Sequence, residues 1–175
     1  NEQFIHWANL IYNERKKLLP VFKQMLELKG KEIGFEEISF EYSSSCPNME
    51  LTLNELKKIE NLEFNKSETL IGPHRDDFII QINKHPAKQF ASNGEARILA
   101  LLLKLVEAEI IKHKINQEPL FLLDEVTVEL DHRHQKRFFE MIKGQIFYAT
   151  VHEPKDINIT NKMKFIVKRG SVEIS

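Results

Sequence analysis

The stretch Leu120–Asp131, LFLLDEVTVELD, runs four apolar residues straight into two adjacent carboxylates, Asp124 and Glu125. A short apolar run of this kind predicts a strand, and it delivers both acids to the strand's carboxyl end, where open α/β sheets bind ligands. Placed there, Asp124 suits a magnesium ion held through a water, and Glu125 suits the orientation or deprotonation of an attacking water. The plainer alternative is that the acids merely end a strand. Six residues beyond Glu125, Asp131 stands before HRHQKR, as an N-cap carboxylate would.

Around this stretch the chain alternates helix and strand. Residues 2–29 predict a helix through Phe4, Ala8, Ile11, Leu18, Phe22 and Met25, with Gly30 as its stop and a kink or break near Leu19 ahead of Pro20. FEEISFEY alternates like a half-buried strand, SSSCPN reads as loop, and a short helix capped by Thr52 through Glu55 is expected to end by Asn61. FIIQI predicts a strand, NKHP a turn and AKQF a returning strand, before a long apolar helix from about Asn93 to His113. After LFLLD come a charged helix closed by Gly144, the strand QIFYAT and a terminal hairpin turned at Arg169 and Gly170. Strand, helix, strand with short links implies parallel neighbours in a sheet covered by helices, an α/β class.

Composition narrows the function. With 42% hydrophobic and 29% charged residues, the 175-residue chain has an ordinary soluble balance and enough length for one core or a core with an appendage. Its 25 basic and 26 acidic residues leave a net charge of −1, so any nucleic-acid contact must come from a local patch. The single cysteine, Cys46, excludes an internal disulfide framework and points to a reduced, cytoplasmic setting. The longest apolar run, Ile98–Leu103, is far too short for a membrane span. No glycine fits a phosphate-binding Gly-x4-Gly-Lys-Ser/Thr loop, since Gly30-Lys31 is followed by Glu32.

Three more segments carry candidate chemistry. In ASNGEAR, Ser92 and Glu95 form a capping box. Gly94 weakens the helix's first turn, as expected where an anion must approach the backbone. His152, in FYATVHEP, follows the strand after the acidic one; it is either an ordinary loop residue or a sensor of a terminal phosphate. GPHRDD, Gly72–Asp77, reads as a surface turn with an ion pair from Arg75 to an aspartate. His132 and His134 read as part of a solvated basic face rather than a zinc site. Arg15, Lys16, Lys17, Arg133, Lys136 and Arg137 are the candidate DNA contacts, with a solvated helix face as the usual alternative.

In order, GPHRDD, SNGEAR, PLFLLDEVTVELD and ATVHEP resemble the RecF family of DNA replication and repair ATPases, relatives of SMC proteins and ABC-type heads. The resemblance implies residues 71–175 as the carboxy-terminal part of an ABC/SMC-like P-loop ATPase head, and residues 1–70, through WANLIYNER and ISFEY, as a helical arm or lever. It implies that Ser92, Asn93, Gly94 and Arg97 belong to the signature motif that meets a nucleotide held by a partner subunit. By the same resemblance Asp124 is the Walker B magnesium ligand, Glu125 the catalytic base, Asp131 the D-loop acid and His152 the switch histidine. Asn93 and Glu95 stand where the family usually has glutamines, Glu125 where it has a second aspartate, Val128 where it has serine, and Val151 where ABC-type proteins usually have threonine.

ATP and magnesium are the cofactors so implied. The partners so implied are DNA at single-strand gaps, a second copy on ATP binding, and RecO and RecR in assisting RecA loading. The resemblance places Walker A upstream of the arm, so the chain is expected to be a fragment that alone neither holds ATP tightly nor hydrolyses it. The alternatives are another SMC- or ABC-like ATPase, and a degenerate half-head that acts as an interaction or DNA-binding module.

Overall fold

A computed structural model describes residues 1–127, 130–152 and 161–174. Helix α1 spans Glu2–Ile33 and continues through Pro20 as one element. Its buried stripe is Ala8, Tyr12, Leu26, Gly30 and Ile33, while Ile11 and Leu18, both expected on the apolar face, are 45% exposed. Gly30 is not the stop. That role belongs to Gly34, whose φ of 125° only glycine adopts readily and whose amide returns to the Gly30 carbonyl at 3.1 Å.

Strand β1 (Ile38–Ser43) turns back along the helix, and a Cβ at Gly30 would overlap Cγ2 of Ile38. Gly30 is therefore the point where helix and sheet approach closely. Gly30→Ala is expected to destabilise the fold by about 1–3 kcal/mol through overpacking of a stiff β-branched neighbour. That outweighs the gain of up to about 1 kcal/mol in helix propensity, and thermal melts would register the net loss.

After a 3-10 turn at Pro47–Met49, α2 (Leu53–Lys66) starts where Thr52 accepts the Glu55 amide at 3.3 Å. It runs past Asn61 to a left-handed Ser67 (φ 54°), so most of the polar EFNKSE segment is helix and not linker. Strand β2 (Asp77–Ile82) pairs antiparallel with β1 over its full length, so the sheet crosses the boundary expected near residue 70. The returning strand β3 is only His85–Pro86; AKQF forms a helical turn, α3 (Ala87–Phe90), instead of a strand. With Pro86 lacking a ladder donor, the hairpin has no means of extending through it.

Helix α4 (Asn93–Ile115) lies against α1 and buries Ile98, Leu99, Leu102, Leu105 and Val106 in the main core with Leu26, Phe40 and Phe138. A second core, of Ala8, Tyr12, Cys46, Leu51, Leu56 and Ile71, joins α1 to α2. Strands β4 (Leu120–Asp124) and β5 (Gln145–Ala149) are parallel neighbours connected through α5 (His132–Met141). They are covered on one face: Leu123 is buried, whereas Leu122 and its partner Phe147 are 74% and 52% exposed. Strands β6 (Phe165–Lys168) and β7 (Ser171–Ile174) form the terminal hairpin. Among the described residues no helix is long and apolar enough to cross a membrane.

GPHRDD does turn at the surface, with the Arg75 amide on the Gly72 carbonyl at 2.9 Å and His74, Arg75 and Asp77 exposed, but the expected ion pair from Arg75 to an aspartate is replaced and Asp76 is drawn inward. Arg75 pairs with Glu68 at 2.8 Å and with the Thr69 carbonyl at 2.5 Å. Asp76, 1% exposed at its side chain, points inward. Its carboxylate meets six donors: the Tyr12 hydroxyl (3.3 Å), the Arg15 guanidinium (3.1 Å), the Tyr42 hydroxyl, the Ser44 hydroxyl (3.4 Å), and the Ser45 amide (2.8 Å) and hydroxyl (2.9 Å). Arg15 also donates to the Tyr42 hydroxyl at 2.6 Å and to the Pro73 carbonyl at 2.8 Å. Burial by itself would raise the Asp76 carboxyl, but the bonds from Tyr42 and Ser45 and the charge of Arg15 hold it below the usual range. Burial, then the bond to Asp76, pushes the Tyr42 hydroxyl up to about 12. One carboxylate thus fastens α1, β1 and the approach to β2 to each other.

Candidate nucleotide site

The amino end of α4 forms because Ser92 caps it. Its hydroxyl accepts the Glu95 amide at 3.3 Å, while the Glu95 carboxylate accepts the Ser92 amide at 2.9 Å and lies 2.8 Å from the Ser92 hydroxyl. The bonds from the Ser92 amide and hydroxyl hold the Glu95 carboxyl below its usual range, so it stays ionised at neutral pH. Asn93 is exposed and Gly94 half-buried. A Cβ at Gly94 would meet nothing within 4 Å. The first-turn amides of this 23-residue helix have no acceptor within the helix and form the positive end of its dipole.

At the carboxyl end of β4, Asp124 is exposed, and its carboxylate engages no other group among the described residues. Glu125 leaves the strand in the left-handed region (φ 50°) and is gripped at three points. Its amide reaches the Ala149 carbonyl at 3.0 Å, its carboxylate accepts the Val151 amide at 2.6 Å, and its carbonyl accepts Nη2 of Arg97 at 3.1 Å. Arg97 Nε adds a 3.2 Å bond to the Val126 carbonyl. Thr150 and His152 close a tight turn, with the His152 amide on the Thr150 hydroxyl at 3.3 Å and that hydroxyl on the His152 carbonyl at 2.9 Å. Asp124, Glu125 and His152 therefore share one end of the parallel pair, and Arg97 ties the α4 start to them.

Asp131 caps α5, accepting the His134 amide at 2.9 Å and pairing with His134 Nδ1 at 2.9 Å; the amide bond leads in lowering its carboxyl pKa. Thr127, which the sequence did not single out, is 2% exposed and bonded to the Tyr148 hydroxyl at 2.6 Å. Gln135 donates to the Thr127 and Leu130 carbonyls, each at 2.9 Å, so beyond the acids Thr127 is pinned to β5 and α5, and Leu130 to α5. Val128 lies outside the described residues. Among them no cluster of three or more potential ligands could hold a metal. A magnesium ion bound mainly by phosphates and water needs only one or two protein carboxylates, which the exposed Asp124 fits. Of the candidate DNA contacts, Arg15 belongs to the Asp76 junction and Arg137 donates to the Ile33 carbonyl at 3.1 Å; Lys16, Arg133 and Lys136 stay exposed.

The chain is 33% identical to a DNA replication and repair protein RecF of Lysinibacillus sphaericus over 190 residues, which takes in all of this chain and 51% of the relative. It is 38% identical to that of Clostridium kluyveri over 171 residues, 89% of this chain and 46% of the relative. The chain belongs to the RecF family. It spans about half the length of the RecF relatives it matches. No family model matches it. A solved structure of the recombination mediator protein RecF with ATP, from the RecFOR pathway, superposes on 99% of the chain at a TM-score of 0.77 and 28% identity, covering 48% of that RecF chain. A structure from work on ATP-driven dimerisation and DNA-stimulated activation of SMC ATPases matches at a TM-score of 0.57 and 14% identity, which extends the likeness to that fold alone. The fold is therefore that of RecF and SMC ATPase heads, mixed helix and sheet with a parallel pair flanked by helices.

Proposed function

We propose that the chain supplies the signature, Walker B and switch side of a composite ATP site in a RecF-like repair protein, the phosphate-binding loop coming from polypeptide outside these residues. The observation that carries this reading is the end of the β4–β5 pair. There a free Asp124 stands beside a Glu125 whose carboxylate is held by the Val151 amide, next to His152. ATP with magnesium would supply the phosphoryl group and the charge to hold it. Asp124 would take the metal, Glu125 would orient and deprotonate a water, and His152 would sit by the terminal phosphate. Ser92, Asn93 and Gly94 would present the α4 start to the nucleotide of a second copy, with Asp131 at the dimer interface. The whole protein would close as an ATP-bound dimer on DNA in the cytoplasm, act at single-strand gaps with RecO and RecR, and assist RecA loading.

Glu95 folds back onto Ser92, as a carboxylate in a signature motif must if it is not to repel the phosphate. The same closed box occupies the Ser92 hydroxyl, which favours a second reading, a degenerate half-head serving as a binding module. Titration of the full-length protein with ATP-magnesium, followed by sedimentation velocity, separates the two. Dimerisation is expected, and Glu95→Gln should tighten it by about tenfold by removing a like charge close to phosphate. A protein that stays monomeric at saturating ATP would favour the binding module.

A further inference from the structure

Arg97 does not end at the helix start where the signature residues lie. It is partly buried, and its guanidinium straddles two successive carbonyls of its own chain, Glu125 at 3.1 Å and Val126 at 3.2 Å. Those carbonyls belong to the turn that carries the Glu125 carboxylate, and that turn needs holding. Glu125 adopts a φ of 50°, which a side chain of this shape takes up at a cost, and such conformations persist only where the surroundings over-determine them. The strand ladder fixes the Glu125 amide and the Val151 amide fixes its carboxylate. Only Arg97, among the bonds described, fixes the peptide that leaves Glu125. A planar two-pronged donor does this better than a lysine, whose ammonium is a point charge without a rigid fork.

Resting on the proposed ATP site, we infer that Arg97 is a positioning residue. It sets the Glu125 carboxylate of its own active site from the first turns of the helix that serves the partner's nucleotide. Occupation of one composite site is thereby coupled to the catalytic turn of the other. Ser92, Gly94 and Arg97 lie within the first turns of a rigid helix, so a nucleotide that shifts the α4 start must move the guanidinium and the Glu125 carbonyl with it.

The test is steady-state ATP turnover by the full-length protein carrying Arg97→Met, Arg97→Lys or Glu125→Gln, with dimer formation measured alongside. Arg97→Met is expected to lower kcat by about a hundredfold, the scale of a misplaced catalytic group, with KM for ATP and ATP-dependent dimerisation changed less than about threefold. Arg97→Lys should recover part of the loss. A rise in KM or a loss of dimerisation, with kcat retained, would show Arg97 contacting nucleotide directly and overturn the positioning role. Wild-type turnover in both Arg97 variants would overturn it as well. If Arg97→Met does not fold, the kcat and KM of Arg97→Lys decide by the same criteria. Full turnover in Glu125→Gln would instead sink the catalytic assignment itself, so the two failures are distinguishable.

Discussion

Asp76→Ala is expected to cost about 3–5 kcal/mol of folding stability, the range for removing one partner of a buried charge pair. At this chain length that corresponds to a melting point lower by about 10 °C. The change strands several groups at once. The hydroxyls of Tyr12, Tyr42 and Ser45 and the Ser45 amide lose a shared acceptor. Arg15, whose side chain is 33% exposed, keeps some water and softens the loss. Asp76→Asn should fall between, since an amide oxygen still accepts but carries no charge for Arg15.

The dependence on pH follows from the same cluster. The folded-state Asp76 carboxyl lies below its ordinary value of 3.8, so its stabilisation is complete above that value and is lost as pH falls through the depressed folded-state range. Chemical denaturation of wild type should therefore show stability dropping steeply in that acid window. In Asp76→Asn the drop should be shallower, and an unchanged acid slope would show that other carboxylates dominate. Tyr42, with its hydroxyl held up to about 12, keeps its proton throughout.

The second large effect concerns chemistry. On the proposed reading, Glu125→Gln in the full-length protein should lower ATP turnover by about a hundredfold to ten-thousandfold, the usual contribution of a general base. The amide oxygen of glutamine still accepts the Val151 amide, so the turn keeps its shape while the base is lost. ATP binding and dimerisation should persist, and an ATP-bound dimer should accumulate because it is no longer consumed. Turnover close to wild type would transfer the basic role away from Glu125.

Local chemistry was legible in the sequence where a residue's partner lies three positions away. Thr52, Ser92 and Asp131 each cap the expected helix through an oxygen on the amide three residues on. The parallel pair and its acids were legible because apolar runs bounded by short links leave few topologies. What escaped depends on distant partners. Gly30 looked like a stop, but it is glycine because Ile38 passes close by. Arg75 and Asp76 looked like one surface feature, yet Arg75 turns outward to Glu68 and Asp76 inward to Tyr12, 64 residues earlier. AKQF has too few residues to distinguish a helical turn from a strand, and the proline before it decided the outcome. For the candidate site, residue types and order could be read, but the inward path of Arg97 and the pinning of Thr127 could not, because both depend on how the loop after β4 folds.

On the proposed reading of the site, the left-handed backbone at Glu125 sets stability and activity against each other at one position. Glycine or asparagine would sit there with less strain than glutamate, so selection for thermal resistance alone should drift toward them and discard the acid. Glutamate in that conformation is what selection for catalysis, and not for rigidity, would leave behind.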